Sequence, residues 1–277
     1  MALGDTNPSA AQSGYQDQDD DAAPAKQHWL SRWQAVPTIW RAGLDVIFPP
    51  LCLGCQARLV NHDALCPECW RQIDFIRPPL CDRLGLPLPY DIGGTMISAA
   101  AAAYPPPFER ARAVARYDGL MRKLIHDFKF NDTHDARRLF GRWLSQTAPE
   151  LIKAADCIVP VPLARLRLLS RRYNQAQILA AELSRQSVKP CLPLALVRTR
   201  STARQIGLTR RERERNVSGA FAVAPGAIAQ IAGKSVLLID DVMTTGATVS
   251  AATKALKKAG AARVDVLALA LVTDILA

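Results

Sequence analysis

The stretch SVLLIDDVMTTGATVSAA, residues 235–252, joins an apolar run to a polar loop and then to a helical pattern. Four consecutive apolar residues, 236–239, predict a strand that is buried on both faces and ends in charge at Asp240 and Asp241. Beyond Gly246, apolar residues recur at helical spacing. The stretch therefore predicts a strand, a loop rich in threonine and glycine, and the start of a helix.

The loop is suited to binding an anion. The first turn of a helix leaves backbone N–H groups unpaired and carries the positive end of the helix dipole, so a phosphate is a natural ligand there. Threonine hydroxyls add donors, and the two preceding carboxylates can accept from sugar hydroxyls. A βα turn whose aspartates only cap the helix is the alternative. The residues of this predicted ribose 5-phosphate site are Asp240, Asp241, Thr244, Thr245, Gly246, Ala247 and Thr248.

The segment IDDVMTTGAT, residues 239–248, resembles the phosphoribosyl pyrophosphate loop of the type I phosphoribosyltransferases. The resemblance implies that Asp240 and Asp241 hold the ribose hydroxyls and that residues 244–248 surround the 5-phosphate. It also implies magnesium, carried on the diphosphate and ribose oxygens of the ligand. That placement agrees with the preference of magnesium for few protein carboxylates and several waters.

Composition limits the class of protein. The chain has 277 residues and a hydrophobic content of 49%, enough for one large or two small domains. No apolar run reaches the roughly 18 residues that a membrane span requires. The first residues are acidic and polar, unlike a secretion signal. We therefore expect no membrane span and a cytoplasmic location.

The net charge of +10 is concentrated in two basic clusters, residues 165–172 and 198–215. Such clusters predict a polyanionic partner, either a diphosphate or nucleic acid, although a solvated face is the alternative. The first cluster follows the predicted strand CIVPVPL, and arginine binds phosphates by bidentate contacts. Its candidates for a diphosphate or a DNA phosphate are Arg165, Arg167, Arg171 and Arg172.

Four of the seven cysteines form two C-x-x-C knuckles, CLGC and CPEC. Four thiolates can close a tetrahedron on zinc and leave no open position for water, which predicts a structural metal. Disulfides and an iron–sulfur cluster are the alternatives. The predicted ligands are Cys52, Cys55, Cys66 and Cys69. Cys81 begins a further knuckle in which Leu84 replaces the second cysteine, so we expect no second metal site.

Strands and helices alternate through the second half of the chain, which predicts an α/β fold: a mostly parallel sheet with helices on both faces. Ligands of such sheets bind beyond the carboxyl ends of the strands. We divide the chain into a disordered tail at 1–27, an amphipathic helix at 28–47, a zinc-binding module at 48–90 and a phosphoribosyltransferase-like domain at 91–277. The tryptophan-rich helix can contact a membrane or a partner, or pack on the rest of the protein.

The order of motifs along the whole chain is similar to that of the ComF family of competence-linked proteins. After the knuckles come LIHDFKFND, which contains Lys129, then VPVPL, RRYNQAQILA, RTRSTARQIGLTRRERERNVSGAF and the phosphate loop. The resemblance implies a role in natural transformation, with single-stranded DNA and proteins of the DNA-uptake machinery as partners. The segment 198–216, which includes Thr202, Gln205 and Arg213, can be a mobile flap that closes over the site, or a surface that contacts nucleic acid.

The sequence identifies no catalytic residue. Hypoxanthine-type purine-salvage enzymes have an aspartate where Thr244 stands, and a threonine cannot act as their general base. Three readings stay open at this point. The protein can be a DNA-uptake protein that binds the sugar diphosphate, a metabolic phosphoribosyltransferase with an unidentified nitrogen acceptor, or a sensor that binds phosphoribosyl pyrophosphate without turnover.

Overall fold

A computed structural model describes residues 49–91, 93–130, 136–163, 173–200 and 210–273. The predicted tail at 1–27 and the predicted helix at 28–47 lie outside the described residues. The strands are β1 Ala111–Arg116, β2 Cys157–Pro160, β3 Leu196–Arg198, β4 Phe221–Val223, β5 Ser235–Met243 and β6 Arg263–Leu271. The α-helices are α1 Pro67–Arg71, α2 Ala99–Ala103, α3 Gly119–Phe130, α4 Ala136–Thr147, α5 Pro149–Ala154, α6 Gln175–Ser187, α7 Arg210–Val217, α8 Ile228–Ile231 and α9 Ala247–Lys258.

The central sheet contains four parallel strands in the order β1-β6-β5-β2. β3 and β4 form a separate antiparallel pair. Parallel neighbours require crossover connections, and α9 supplies the one between β5 and β6. The predicted mostly parallel α/β sheet is confirmed.

Strand β5 is buried on both faces, as the apolar run predicts. Val236 and Leu238 pack into the core on one face, together with α9. Leu237 and Ile239 pack into the core on the other face, with α3, α4 and α6. Helices therefore cover both faces of the sheet.

The end of β5 differs from the prediction. We expected the strand to end at the two aspartates, but it continues through them to Met243. The reason is the pairing with β6, which extends as far as Met243 opposite Leu271. Local charge does not stop a strand whose backbone groups still have partners on the neighbouring strand.

The cysteine-rich segment packs directly against the sheet domain. Between its two halves, the chain pairs with the edge strand β1: Ile76 N donates to Val114 O at 3.0 Å, and Arg116 N donates to Asp74 O at 2.9 Å. Trp70 and Trp143 then meet edge to face, with their ring centroids 5.7 Å apart. Within the described parts of the chain, no helix combines the length and apolar character needed to cross a membrane.

Candidate functional site

The four knuckle cysteines converge at one point. Their sulfur atoms all lie within 4.8 Å of one another. The Sγ atoms of Cys55 and Cys66 are 3.6 Å apart, close to the roughly 3.8 Å of an ideal tetrahedron with Zn–S bonds of about 2.3 Å. Cys55 is exposed and the other three are buried. This arrangement fits a structural zinc ion.

The surrounding backbone also fits a thiolate cluster. The amides of Gly54 and Cys66 donate to the Cys52 sulfur at 3.4 and 3.2 Å. Burial raises the pKa of Cys52, but the backbone hydrogen bonds lower it more strongly, to about 6. A Cβ at Gly54 would lie 2.7 Å from the Cys69 sulfur, so the cluster leaves no room for a side chain there.

Residues 80–101 repeat the backbone pattern of the segment that holds the four knuckle cysteines. A bridge joins Leu80 and Pro87 in the same way as Leu51 and Arg58. Cys81 N donates to Leu86 O at 2.8 Å, and Cys52 N donates to Ala57 O at the same distance. The Ser98 amide donates to the Cys81 sulfur at 3.2 Å, as the Cys66 amide does to Cys52. We call residues 50–72 the first ribbon and residues 79–104 the second ribbon.

The second ribbon keeps one ligand position of four. Leu84 takes the place of Cys55, Ser98 that of Cys66, and Ala101 that of Cys69. Ser98 caps helix α2 by accepting from Ala101 N, just as Cys66 caps α1 by accepting from Cys69 N. The sequence revealed the change at Leu84, but Ser98 directly before the alanine run and Ala101 within it were missed.

The phosphate loop connects β5 to α9. Gly246 has a φ of 74°, a conformation that favours glycine, and directly precedes the first residue of the helix. Thr245 is 5% exposed, and its Oγ1 accepts from Ala247 N at 3.4 Å. The helix N-terminus therefore follows the loop immediately, with Thr244 and Thr248 half-buried on either side. This is the order of strand, loop and helix that the sequence predicts, and a helix N-terminus of this kind can bind an anion.

The two aspartates differ in their surroundings. Asp241 Oδ2 lies 2.6 Å from the ammonium of Lys129, and both side chains are largely buried. Burial, followed by the charge of Asp241, raises the pKa of Asp240 to about 8. A carboxyl with that pKa is mostly protonated at neutral pH, so it can donate a hydrogen bond as well as accept one.

Lys129 joins the site from the end of α3. Its backbone carbonyl accepts from Gln175 Nε2 at 3.4 Å, and the buried Oε1 of Gln175 has no hydrogen-bond partner among the described residues. Asn174 caps α6 and donates to Val161 O at 3.1 Å. The motifs LIHDFKFND and RRYNQAQILA contain these three residues but assigned them no role, and no local pattern links Lys129 to Asp241 across more than a hundred positions.

The predicted diphosphate residues and part of the predicted flap lie outside the described residues: Arg165, Arg167, Arg171, Arg172, Thr202 and Gln205. The basic cluster follows β2 along the chain, and Pro160 at the end of β2 pairs with Ile239, which precedes the phosphate loop. Arg213 is described and lies on α7, which packs against α9. Its neighbour Arg215 lines the same cavity as Thr245 and Gly246, so α7 stands beside the loop.

Known proteins share both parts of the chain. A double zinc ribbon domain model matches residues 43–101, and a phosphoribosyl transferase domain model matches residues 170–273. The DNA utilization protein YhgH of Escherichia coli K12 is 32% identical over 224 residues, 79% of this chain and 95% of the relative. Competence protein F of Haemophilus influenzae is 30% identical over 225 residues, 79% of this chain and 96% of the relative.

A solved structure of a glutamine phosphoribosylpyrophosphate amidotransferase from B. subtilis aligns with 52% of this chain and 30% of that chain. The sequence identity is 21% and the TM-score is 0.36.

Proposed function

The chain belongs to the ComF family, and on that premise we propose that it is a competence or DNA-utilization protein whose phosphoribosyltransferase-like domain binds phosphoribosyl pyrophosphate or a related phosphate. One observation carries the proposal. The last residues of the central strand β5 include the acid pair, and the strand is followed by a glycine at φ 74° and a helix N-terminus. The known location of such sites at the carboxyl ends of parallel strands supports it.

In the proposed complex, the 5-phosphate accepts from the amides and hydroxyls of residues 244–248. Asp240 and Asp241 hold the ribose hydroxyls, and Lys129 moves between Asp241 and the oxygens of the ligand. Magnesium, when bound, neutralises the charge of the diphosphate. Asp240 and Asp241 are the carboxyl groups of the site that could help to hold the ion, and the pairing of Asp241 with Lys129 would leave most of that task to the ligand.

The proposed role is binding, without an assigned reaction. Thr244 occupies the position from which a purine-salvage aspartate would act, and its hydroxyl is no general base. Binding of phosphoribosyl pyrophosphate as a sensor accounts for the same site, and an assay for released diphosphate separates a sensor from a transferase. We also propose contact with single-stranded DNA, which the DNA-related names of the relatives and the net charge of +10 support, and a cytoplasmic location.

The test is calorimetric titration of phosphoribosyl pyrophosphate, with magnesium, into the wild type and into Asp240→Asn with Asp241→Asn. We expect binding to the wild type and its loss in the variant, because neutral amides are weaker acceptors for sugar hydroxyls. Glu68→Gln with Asp91→Asn replaces two exposed carboxyl groups by amides in the same way and should bind like the wild type. Equal binding by wild type and the Asp240 and Asp241 variant would refute the proposed site.

DNA contact is tested by the fluorescence anisotropy of a labelled oligo-dT strand at several salt concentrations. Binding that weakens steeply as salt rises would support phosphate contacts, because these release counterions. A wild-type protein that binds no oligonucleotide at low salt would refute this part of the function, whatever its affinity for the sugar diphosphate.

A further inference from the structure

A cavity of about 850 Å³ runs along helix α9, starting at the phosphate loop. Thr245 and Gly246 line one end, and Lys258 in the last turn of the helix lines the other. Twelve helical residues span about 18 Å. The cavity is therefore an elongated groove that continues from the predicted phosphate site.

Small side chains on α9 form the floor of the groove. Ala247, Ser250, Ala251 and Ala255 all face it. The segment Tyr104-Pro-Pro-Pro-Phe108 also lines the groove; Phe108 is buried and Tyr104 is 62% exposed. The alanines of α9 and the prolines thus offer apolar surface, and Tyr104 adds an exposed aromatic ring.

Three cations line the groove: Arg215, Lys254 and Lys258. All three are exposed, and none forms an ion pair with another residue in the described part of the chain. Lys257 on the same helix differs, because its ammonium lies 2.9 Å from Glu109. Lys254 and Lys258 are one turn apart, about 6 Å along the helix axis. With Glu214 as the acid of the lining, the groove carries a net positive charge.

We propose that this groove binds a single-stranded polynucleotide, with its backbone phosphates on Lys254, Lys258 and Arg215 and a base stacked on Tyr104. This inference rests on the DNA contact proposed above and assigns it a site. Charge complementarity requires a polyanion. The amide donors of the phosphate loop at one end, and an exposed aromatic ring beside an apolar floor, favour a nucleic acid over an acidic peptide.

The charged contacts are tested by comparing Lys258→Ala with Lys257→Ala in oligo-dT binding. The two lysines are neighbours on one helix, and only the first lines the groove. We expect Lys258→Ala to weaken binding several-fold and to reduce the slope of log affinity against log salt by about 0.7, the value for one phosphate contact on a single strand. Lys254→Ala with Lys258→Ala should reduce it by about 1.4. Lys257→Ala should bind like the wild type.

The stacking contact is tested at Tyr104. Tyr104→Ala should weaken oligo-dT binding about tenfold, and Tyr104→Phe should restore it, because the ring and not the hydroxyl carries the stacking. Thermal unfolding of each variant verifies that it is folded. An unchanged affinity in Tyr104→Ala would contradict the stacked base.

The outcomes separate the groove from the proposed function. If the wild type binds oligo-dT and the lysine variants bind it equally well, the groove assignment is wrong and the DNA contact stands. If the wild type binds no oligo-dT, both fail. If poly-glutamate displaces oligo-dT from the wild type as effectively as unlabelled oligo-dT does, the groove is a general acidic-polymer site and the nucleic-acid assignment is overturned.

Discussion

In the first ribbon, the sulfur of Cys52 accepts a hydrogen bond from the amide of Cys66 at 3.2 Å. In the second ribbon, the sulfur of Cys81 accepts one from the amide of Ser98 at the same distance. The ribbons otherwise differ in what surrounds them. The first has a small cluster of cysteines with a few leucines around it, whereas Cys81, Leu84 and Ala101 belong to the main core of the sheet domain. A ribbon without its own apolar core needs a metal, and one that shares a large core does not.

The comparison extends to the phosphate loop. The second ribbon has the backbone of the first, and residues that pack or cap a helix stand at three of its four ligand positions. The phosphate loop has an acid pair, although the raised pKa of Asp240 indicates that burying two carboxylates is unfavourable. An acid pair that costs stability is expected at a functional site rather than at a structural one.

The largest expected effect comes from replacing the equivalent cysteine of each ribbon by serine and comparing zinc content and stability. Cys52→Ser removes a ligand, so the protein should lose its zinc and the first ribbon should unfold, since structural zinc contributes folding free energy directly. Cys81→Ser occupies the equivalent position and should keep the metal, at a cost of about 1 kcal/mol in the free energy of unfolding. Elemental analysis and thermal unfolding measure both. Zinc retained by Cys52→Ser would break the comparison.

Restoring the missing ligands should reverse the difference. Leu84→Cys, Ser98→Cys and Ala101→Cys together give the second ribbon four cysteines on the backbone that the first ribbon uses. We expect the zinc content to rise from one to two ions per chain. The double variant with Ser98→Cys and Ala101→Cys alone offers three thiols and should hold the second ion less tightly against a chelator. A zinc content that stays at one would show that the two backbones are not equivalent.

A smaller effect is expected at Gly54. A methyl group there would lie 2.7 Å from the Cys69 sulfur, so Gly54→Ala should displace that ligand and speed the release of zinc to a chelator. Gly226→Ala is the control, since a Cβ at Gly226 has no atom within 4 Å. Equal release rates in the two variants would mean that the first ribbon adjusts freely around its metal.

The smallest expected effect concerns the phosphate loop, and it is a gain in stability rather than a loss. The folded-state pKa of Asp240 is about 8 and its ordinary value is 3.8. The stability that the protonated carboxyl provides is complete below its ordinary pKa and is lost as pH rises toward 8. Asp240→Asn should therefore raise the melting temperature by a few degrees, and by more at about pH 8 than at about pH 6.

Thermal unfolding of wild type and variant at both pH values checks this prediction, with Asp91→Asn as the exposed control. A melting temperature that falls in Asp240→Asn would show that the carboxylate stabilises the loop. The acid pair would then not lower the stability of the protein, and the contrast between the phosphate loop and the second ribbon would disappear.

Patterns local in the sequence predicted the main parts of the fold. The apolar run at 236–239 gave the central strand, and the knuckle spacing gave the cysteine cluster. The end of β5 and the ion pair of Lys129 with Asp241 depend on contacts between distant parts of the chain, which no local pattern encodes. Ser98 and Ala101 were missed because a serine followed by an alanine run looks like low-complexity sequence. Only the comparison with the backbone of the first ribbon identifies them as ligand positions.

The central claim is that the phosphate loop still binds a ligand, unlike the second ribbon. Hydrogen–deuterium exchange in the presence of excess phosphoribosyl pyrophosphate and magnesium tests it directly. The account predicts slower exchange of the amides in residues 244–248 and unchanged exchange in residues 81–101. Unchanged exchange at 244–248 would contradict it. The loop would then resemble the second ribbon, which has the backbone of a binding site but binds no ligand.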